Sequence, residues 1–276
     1  MKNLFYKLLL MDNSLILNFG DSQGEVYDYV FYNNINYKKY INDNSPGWRS
    51  GWSLRGLNKP EHENILFNSL YDISSNIENV FIFLTFGSVD IEWNLSYKRF
   101  ILNQNPDTNN FIDEMINSFE KIINKYILLE QELKKIKNIN FFIIITFPFI
   151  PLPLSESYMK TFSEKNDTTF YEVISHHERF YLWYIFCNKL IESIKSFNYK
   201  RLYIIDLRDD FINKGFKHFM NKNIEDHHPN FLITKEYIIQ KLNKITFNND
   251  NNEIISLKKK SWQHNYLYPH IRRPLN

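Results

Sequence analysis

The chain has 276 residues, 43% of them hydrophobic and 17% aromatic, enough to bury one sizeable core or at most two small ones. Its 33 Lys and Arg against 31 Asp and Glu leave a formal charge of +2, no global field for gathering nucleic acid or anionic lipid, and the single Cys187 excludes an internal disulfide framework. There is no alanine, valine is scarce and glycine occurs only seven times, while Asn, Ile and Lys fill about a third of the chain; this is the mark of AT-rich codons, and under it each retained glycine points to a place where the backbone needs one.

Residues 1–14 read as an N-terminal extension. Their apolar run is broken by Lys7, Asp12 and Asn13 and no small-residue cleavage site follows, so no signal peptide is expected. No stretch reaches the roughly 18 apolar residues that span a bilayer. A soluble, cytoplasmic protein is expected, with neither a membrane span nor a nucleic-acid partner.

Leu15 to Phe19 is the first strand-like run, followed by a loop-rich region from Gly24 to Asn58. Val80 to Phe86 reads as a central strand whose continuous apolar character implies burial on both faces. Phe111, Ile112, Met115, Ile116, Phe119, Ile122, Ile123, Tyr126 and Ile127 recur at helical spacing, with Thr108 and Asn110 as offered N-caps. Phe141 to Phe147 is a third strand, about Phe170 to Ile194 a second helix, Leu202 to Ile205 a fourth strand and Asn230 to about Ile245 a third helix. Strands alternating with helices predict βαβ units and a mainly parallel sheet, one α/β domain over 15–245. Residues 246–276 lose periodicity and read as a polar linker and a basic, aromatic tail. Its Lys258, Lys259, Lys260, Arg272 and Arg273 with Trp262, Tyr266 and Tyr268 suit nucleic-acid stacking or an anionic surface as well as a packed extension, and the extension is preferred.

Three segments carry possible chemistry. Phe19-Gly20-Asp21-Ser22-Gln23-Gly24 ends the first strand, where open α/β sheets place ligands, although Gly, Asp and Ser are also what a turn contains. Phe86-Gly87-Ser88-Val89-Asp90 ends the central strand, which a parallel topology brings beside the first. Glu225-Asp226-His227-His228-Pro229-Asn230 precedes the last helix and offers a general base with an acid just upstream; two adjacent histidines also suit a solvated loop or a metal.

A GDS serine, a glycine loop, a Gly-x-x-Asp strand end and a late acid and histidine, in that order, resemble the SGNH hydrolase superfamily, the GDSL-like esterases. The resemblance implies a flavodoxin-like three-layer α/β/α sandwich. It makes Ser22 the nucleophile and His228 the base, with Glu225, three residues before the histidine, or Asp226 as the acid. An oxyanion hole in this family uses the nucleophile's own N–H, a glycine N–H and an asparagine. Here Gly51, then Gly47, then Gly56 are the glycine candidates, because the run into Ser53 and Leu54 looks like a helix start. The asparagine position of Gly-x-Asn-Asp holds Val89, which has no side-chain donor. The segment FGSVDIEWN is similar to a branch carrying Phe-Gly-x-x-Asp, in which Asp90 is matched and Asn94 or Arg99 takes the missing polar role, although Glu92 stands where a basic residue is expected. Asp21, Gly87 and Asp90 then support the site.

The expected activity is hydrolysis or transfer of an acyl ester, an acetyl group on a carbohydrate by analogy with that branch, with a small-molecule or glycan ester as partner and neither cofactor nor metal. The alternative is an inactive domain of this fold that binds a glycan or a partner protein. A flavodoxin-like nucleotide binder lacks the glycine-rich phosphate fingerprint. His176 and His177 with Glu172 and Glu178 suggest a metal cluster, but adjacent helical histidines point about 100° apart. Asp206, Asp209 and Asp210 read as a turn after a strand, and Trp48 and Trp52 either stack on a sugar or close the core.

Overall fold

Four apolar runs pair into one parallel sheet, and the register between them decides what meets at its carboxyl edge. The structure, a computed structural model, describes residues 4–42, 45–165, 175–223 and 226–245. The sheet comprises β1 (Ser14–Gly20), β4 (Asn79–Thr85), β5 (Asn140–Thr146) and β6 (Leu202–Ile205), ordered β1-β4-β5-β6. Gly20 lies beside Thr85 and Thr85 beside Thr146, so the first two strands end level with each other. Every residue of β4 is buried, as a strand covered on both faces must be. Two short antiparallel strands, β2 (Tyr40–Asn42) and β3 (Ser45–Pro46), lie in the loop-rich region.

Helices flank the sheet in a three-layer α/β/α sandwich. The short α2 (Val26–Val30) packs with α9 (Phe231–Leu242), while α4 (Thr108–Leu133) packs with α6 (His176–Ser196). Tyr27 of α2 lies against Phe83 of β4, ring centroids 4.7 Å apart, and its hydroxyl meets the Thr146 hydroxyl of β5. On the other side α3 (Pro60–Tyr71) meets α4 through Phe67 and Tyr126, at 4.7 Å. Fully burying a side chain of this size contributes about 1.5–3 kcal/mol. The segment read as an extension supplies α1 (Leu4–Leu8), from which Phe5 is buried and packs edge-on against Phe81.

The helices differ from the sequence expectation at their ends. The N-cap of α4 is Asp107, whose carboxylate accepts the Asn110 N–H, rather than Thr108 or Asn110, so the helix starts a turn before its apolar stripe. α6 begins at His176 because the Ser175 hydroxyl accepts the Glu178 N–H. Asn230 caps α9 as its sequence suggests, and the helix stops at Leu242 rather than Ile245. Between β5 and α6 lies α5 (Glu156–Lys165), whose polar sequence gave no apolar period to read. α7 (Arg208–Lys214) and α8 (Phe216–Phe219) follow β6. The expected linker and tail, 246–276, lie outside the described residues. Among those described, no helix is long and apolar enough to cross a membrane.

Candidate active site

The chain turns sharply after Gly20, and Asp21 fixes that turn. Its Oδ1 accepts the Gln23 N–H at 2.9 Å, capping the single 3₁₀ turn Ser22–Glu25 and presenting Ser22 at the sheet edge. Its Oδ2 accepts the Ser88 N–H at 3.1 Å and the Ser88 hydroxyl at 2.7 Å, tying the first strand end to the central one. Burial raises the Asp21 pKa to about 6, although all these hydrogen bonds favour its charged form. The Gln23 side chain accepts the Phe149 N–H at 2.7 Å, which fastens the same turn to the segment after β5.

Gly87 makes the second turn possible. Its φ of +112° is a conformation that residues with a Cβ rarely adopt. Asp90 follows in the π-helical turn Asp90–Asn94 and is fully buried. It accepts the Leu54 N–H at 2.6 Å and the Asn94 amide at 3.0 Å, so it holds the short 3₁₀ helix Leu54–Asn58 against the strand end. The expected helix start after Gly51 is this element, capped by Ser53.

The third segment arrives from the far side of the sheet and closes a hydrogen-bonded row. Ser22 Oγ lies 2.8 Å from His228 Nε2, and His228 Nδ1 lies 2.8 Å from Asp226 Oδ1. With the ring proton on Nδ1, the imidazole donates to Asp226 and Nε2 accepts the serine proton. Asp226 Oδ1 also accepts the His228 N–H, and Asn221 donates to both Asp226 Oδ2 and the His228 carbonyl, each at 2.8 Å. Burial opposes the charged form of His228, but the Asp226 hydrogen bond and charge, with the Glu92 and Asp21 carboxylates, outweigh it and raise its pKa. Burial likewise opposes ionisation of Asp226, yet the hydrogen bonds and charge of His228 hold its pKa below the ordinary value. Glu225, the other acid expected here, lies outside the described residues.

The first two glycines offered for an oxyanion hole sit in different environments. At Gly47 an added Cβ would stand 2.1 Å from the Asn18 carbonyl oxygen, so the segment lies directly on β1, and the Arg49 N–H donates to the Gly20 carbonyl at 2.9 Å. Gly51 is exposed, with φ of +79° and open space around it. Asn94 donates from its amide to Asp90, and Arg99 pairs with Glu178 at 2.5 Å, so both groups offered in place of the asparagine have protein partners.

Other expected features have structural partners. His176 Nε2 lies 2.7 Å from the Pro151 carbonyl, and Glu172 of the same suggested cluster is outside the described residues. Asp206 pairs with Arg208 and Asp210 with Lys241. Trp52 is buried and stacks on Phe86, and Trp48 donates to Asp28 at 3.2 Å. Asp226, His227 and His228 offer ligand atoms within 4.8 Å of one another, but a metal ion there would have to take His228 from the hydrogen bonds it already makes.

Comparison with protein-family models gives no match, and neither does comparison with curated proteins. A solved structure described as that of a candidate platelet activating factor from Streptococcus pneumonia is similar at 12% identity and a TM-score of 0.44, over 86% of this chain and 89% of that one.

Proposed function

We propose that the chain is a serine ester hydrolase or acyltransferase of the SGNH type, using Ser22 as nucleophile, His228 as general base and Asp226 as its acid partner. The observation that carries this is the unbroken row Asp226, His228, Ser22, with 2.8 Å at each link. The Ser22 oxygen attacks an acyl carbonyl while His228 Nε2 takes its proton, and the Asp226 charge stabilises the imidazolium. The same proton then passes to the leaving alcohol. Water, or a second alcohol in a transferase, attacks the acyl-enzyme with His228 again as base.

The main-chain N–H of Ser22 and one from the Gly47–Gly51 segment would receive the oxyanion; each preorganised donor of this kind contributes about 3–4 kcal/mol. A small acyl group such as acetyl, on a carbohydrate alcohol, is the substrate expected by analogy with the branch that FGSVDIEWN resembles. Hydrolysis of p-nitrophenyl acetate tests the assignment: the native chain should turn it over and Ser22→Ala should lose that activity by on the order of 10⁶-fold.

One observation favours the second reading, an inactive domain of the same fold that binds a glycan or a protein. Val89 has no side-chain donor, and the Asn94 amide donates to Asp90. A native chain that neither hydrolyses esters nor reacts with serine-directed probes would support it.

A further inference from the structure

A carboxyl group that makes no hydrogen bond in the row above, and acts on His228 only through its charge, stands beside it. Glu92 is 3% exposed, yet among the described residues it accepts no hydrogen bond, and its nearest basic nitrogen, His227 Nε2, is 3.9 Å from Oε2, beyond hydrogen-bond reach. A buried carboxylate without a partner is costly, and Asp21 and Asp90 on the same strand ends show how this chain otherwise satisfies one. Burial lifts the Glu92 pKa to about 7, against the charges of Arg179 and His228.

The surroundings of Glu92 are aromatic and lead to the nucleophile. Ring centroids of Trp93 and Tyr158 are 5.8 Å apart, those of Tyr158 and His227 4.7 Å, and those of Trp93 and His227 6.2 Å. All three rings are partly exposed. His227 in turn lies 4.0 Å from the His228 ring, so this wall is contiguous with the base. Burial and the charge of His228 lower the His227 pKa to about 3, leaving it a neutral ring.

We propose that Glu92, Trp93, Tyr158 and His227 form the subsite for the alcohol portion of the substrate, and that this portion is a polyhydroxylated ring whose hydroxyl donates to Glu92. The inference rests on the ester-hydrolase reading for its place in the reaction but not for binding itself. An alkyl or aryl alcohol would pack against the rings and leave Glu92 buried without a donor. A sugar ring satisfies both parts of the wall: its C–H face packs on the aromatic rings, and a hydroxyl supplies the hydrogen bond. A site built around a substrate hydroxyl rejects analogues that lack it, because the buried partner is then left unpaired.

Two measurements separate this subsite from the esterase assignment. The Ser22→Ala chain, which should bind without turnover, is titrated with methyl glycosides of glucose, galactose, mannose, xylose and N-acetylglucosamine, followed by tryptophan fluorescence and calorimetry. Saturable binding to at least one, weakened at least tenfold by adding Glu92→Gln and likewise by Tyr158→Ala, is expected. No binding to any of them, or binding that both substitutions leave unchanged, overturns the proposal. With Ser22 intact, Glu92→Gln should lower kcat/KM for a monoacetylated form of the bound sugar at least tenfold more than for p-nitrophenyl acetate. An equal loss on both substrates overturns the subsite while leaving the esterase reading standing; sugar binding with no ester turnover does the reverse.

Discussion

Two regions of the site use carboxyl groups in opposite ways. On the strand-end floor, Asp21 and Asp90 are fully buried and every oxygen faces a donor: the Gln23 and Ser88 amides and the Ser88 hydroxyl for one, the Leu54 amide and the Asn94 side chain for the other. On the wall that follows, Glu92 is also buried, but among the described residues it accepts no hydrogen bond and has only the His227 ring nitrogen, 3.9 Å away, beside it. Asp21 and Asp90 are pins that hold loops against strand ends, whereas Glu92, on the subsite proposal, is the group that would receive a substrate hydroxyl. Asp226 stands between these cases, half-exposed and shared between Asn221 and the base.

The largest expected effect separates the row from the floor. Asp226→Asn should lower kcat by about 10⁴-fold, since an amide holds the imidazole in the wrong tautomer and cannot stabilise its charge. The pH profile gives the sign. His228 must be neutral to accept the serine proton, and its pKa is raised above the ordinary 6.5, so kcat/KM should rise with pH through a limb above 6.5. Removing the Asp226 charge takes away the main raising influence and should move that limb to lower pH, as a pH–rate titration would show.

Next in size is a stability effect on the floor. Asp21→Asn puts an NH₂ group where two Ser88 donors now point, and should lower the unfolding free energy by about 1–3 kcal/mol in a denaturant titration. Glu92→Gln should do the opposite under the same conditions at pH 8. The folded pKa of Glu92 is raised, so the stability it contributes is fully present below its ordinary value of 4.5 and is lost as pH climbs through about 7. The glutamine variant carries no such loss and should be as stable as the native chain or more so. A destabilised Glu92→Gln would erase the distinction between floor and wall. The smallest effect concerns the loop: Asn221→Ala frees Asp226 and the His228 carbonyl from one donor and should lower kcat severalfold with a stability change of about 1 kcal/mol.

Much of the floor is legible in the sequence because it is written in residue types that the composition disfavours. Gly20 and Gly87 survive in a glycine-poor chain beside Asp21 and Ser88, and the continuous apolar runs before them identify buried parallel strands. The site is legible because each of its parts follows a strand or precedes a helix cap, positions that periodicity and capping residues reveal. What stayed hidden depends on long-range approach. The choice of Asp226 as hydrogen-bond partner is a matter of loop geometry two residues from His228, and Asn221 has no distinguishing mark in a chain so rich in asparagine. Ser88 looked like a turn residue until the sheet register placed it on Asp21. Glu92 reads from sequence as a misplaced charge, and only the structure shows it to be buried beside His227.

The central claim is that Ser22 is an activated nucleophile, and a fluorophosphonate probe tests it directly. Folded native chain should be labelled covalently, with the adduct mapping to Ser22 by mass spectrometry, and Ser22→Ala should remain unlabelled. A native chain that is correctly folded yet takes up no probe, or one labelled at a residue other than Ser22, would contradict the assignment.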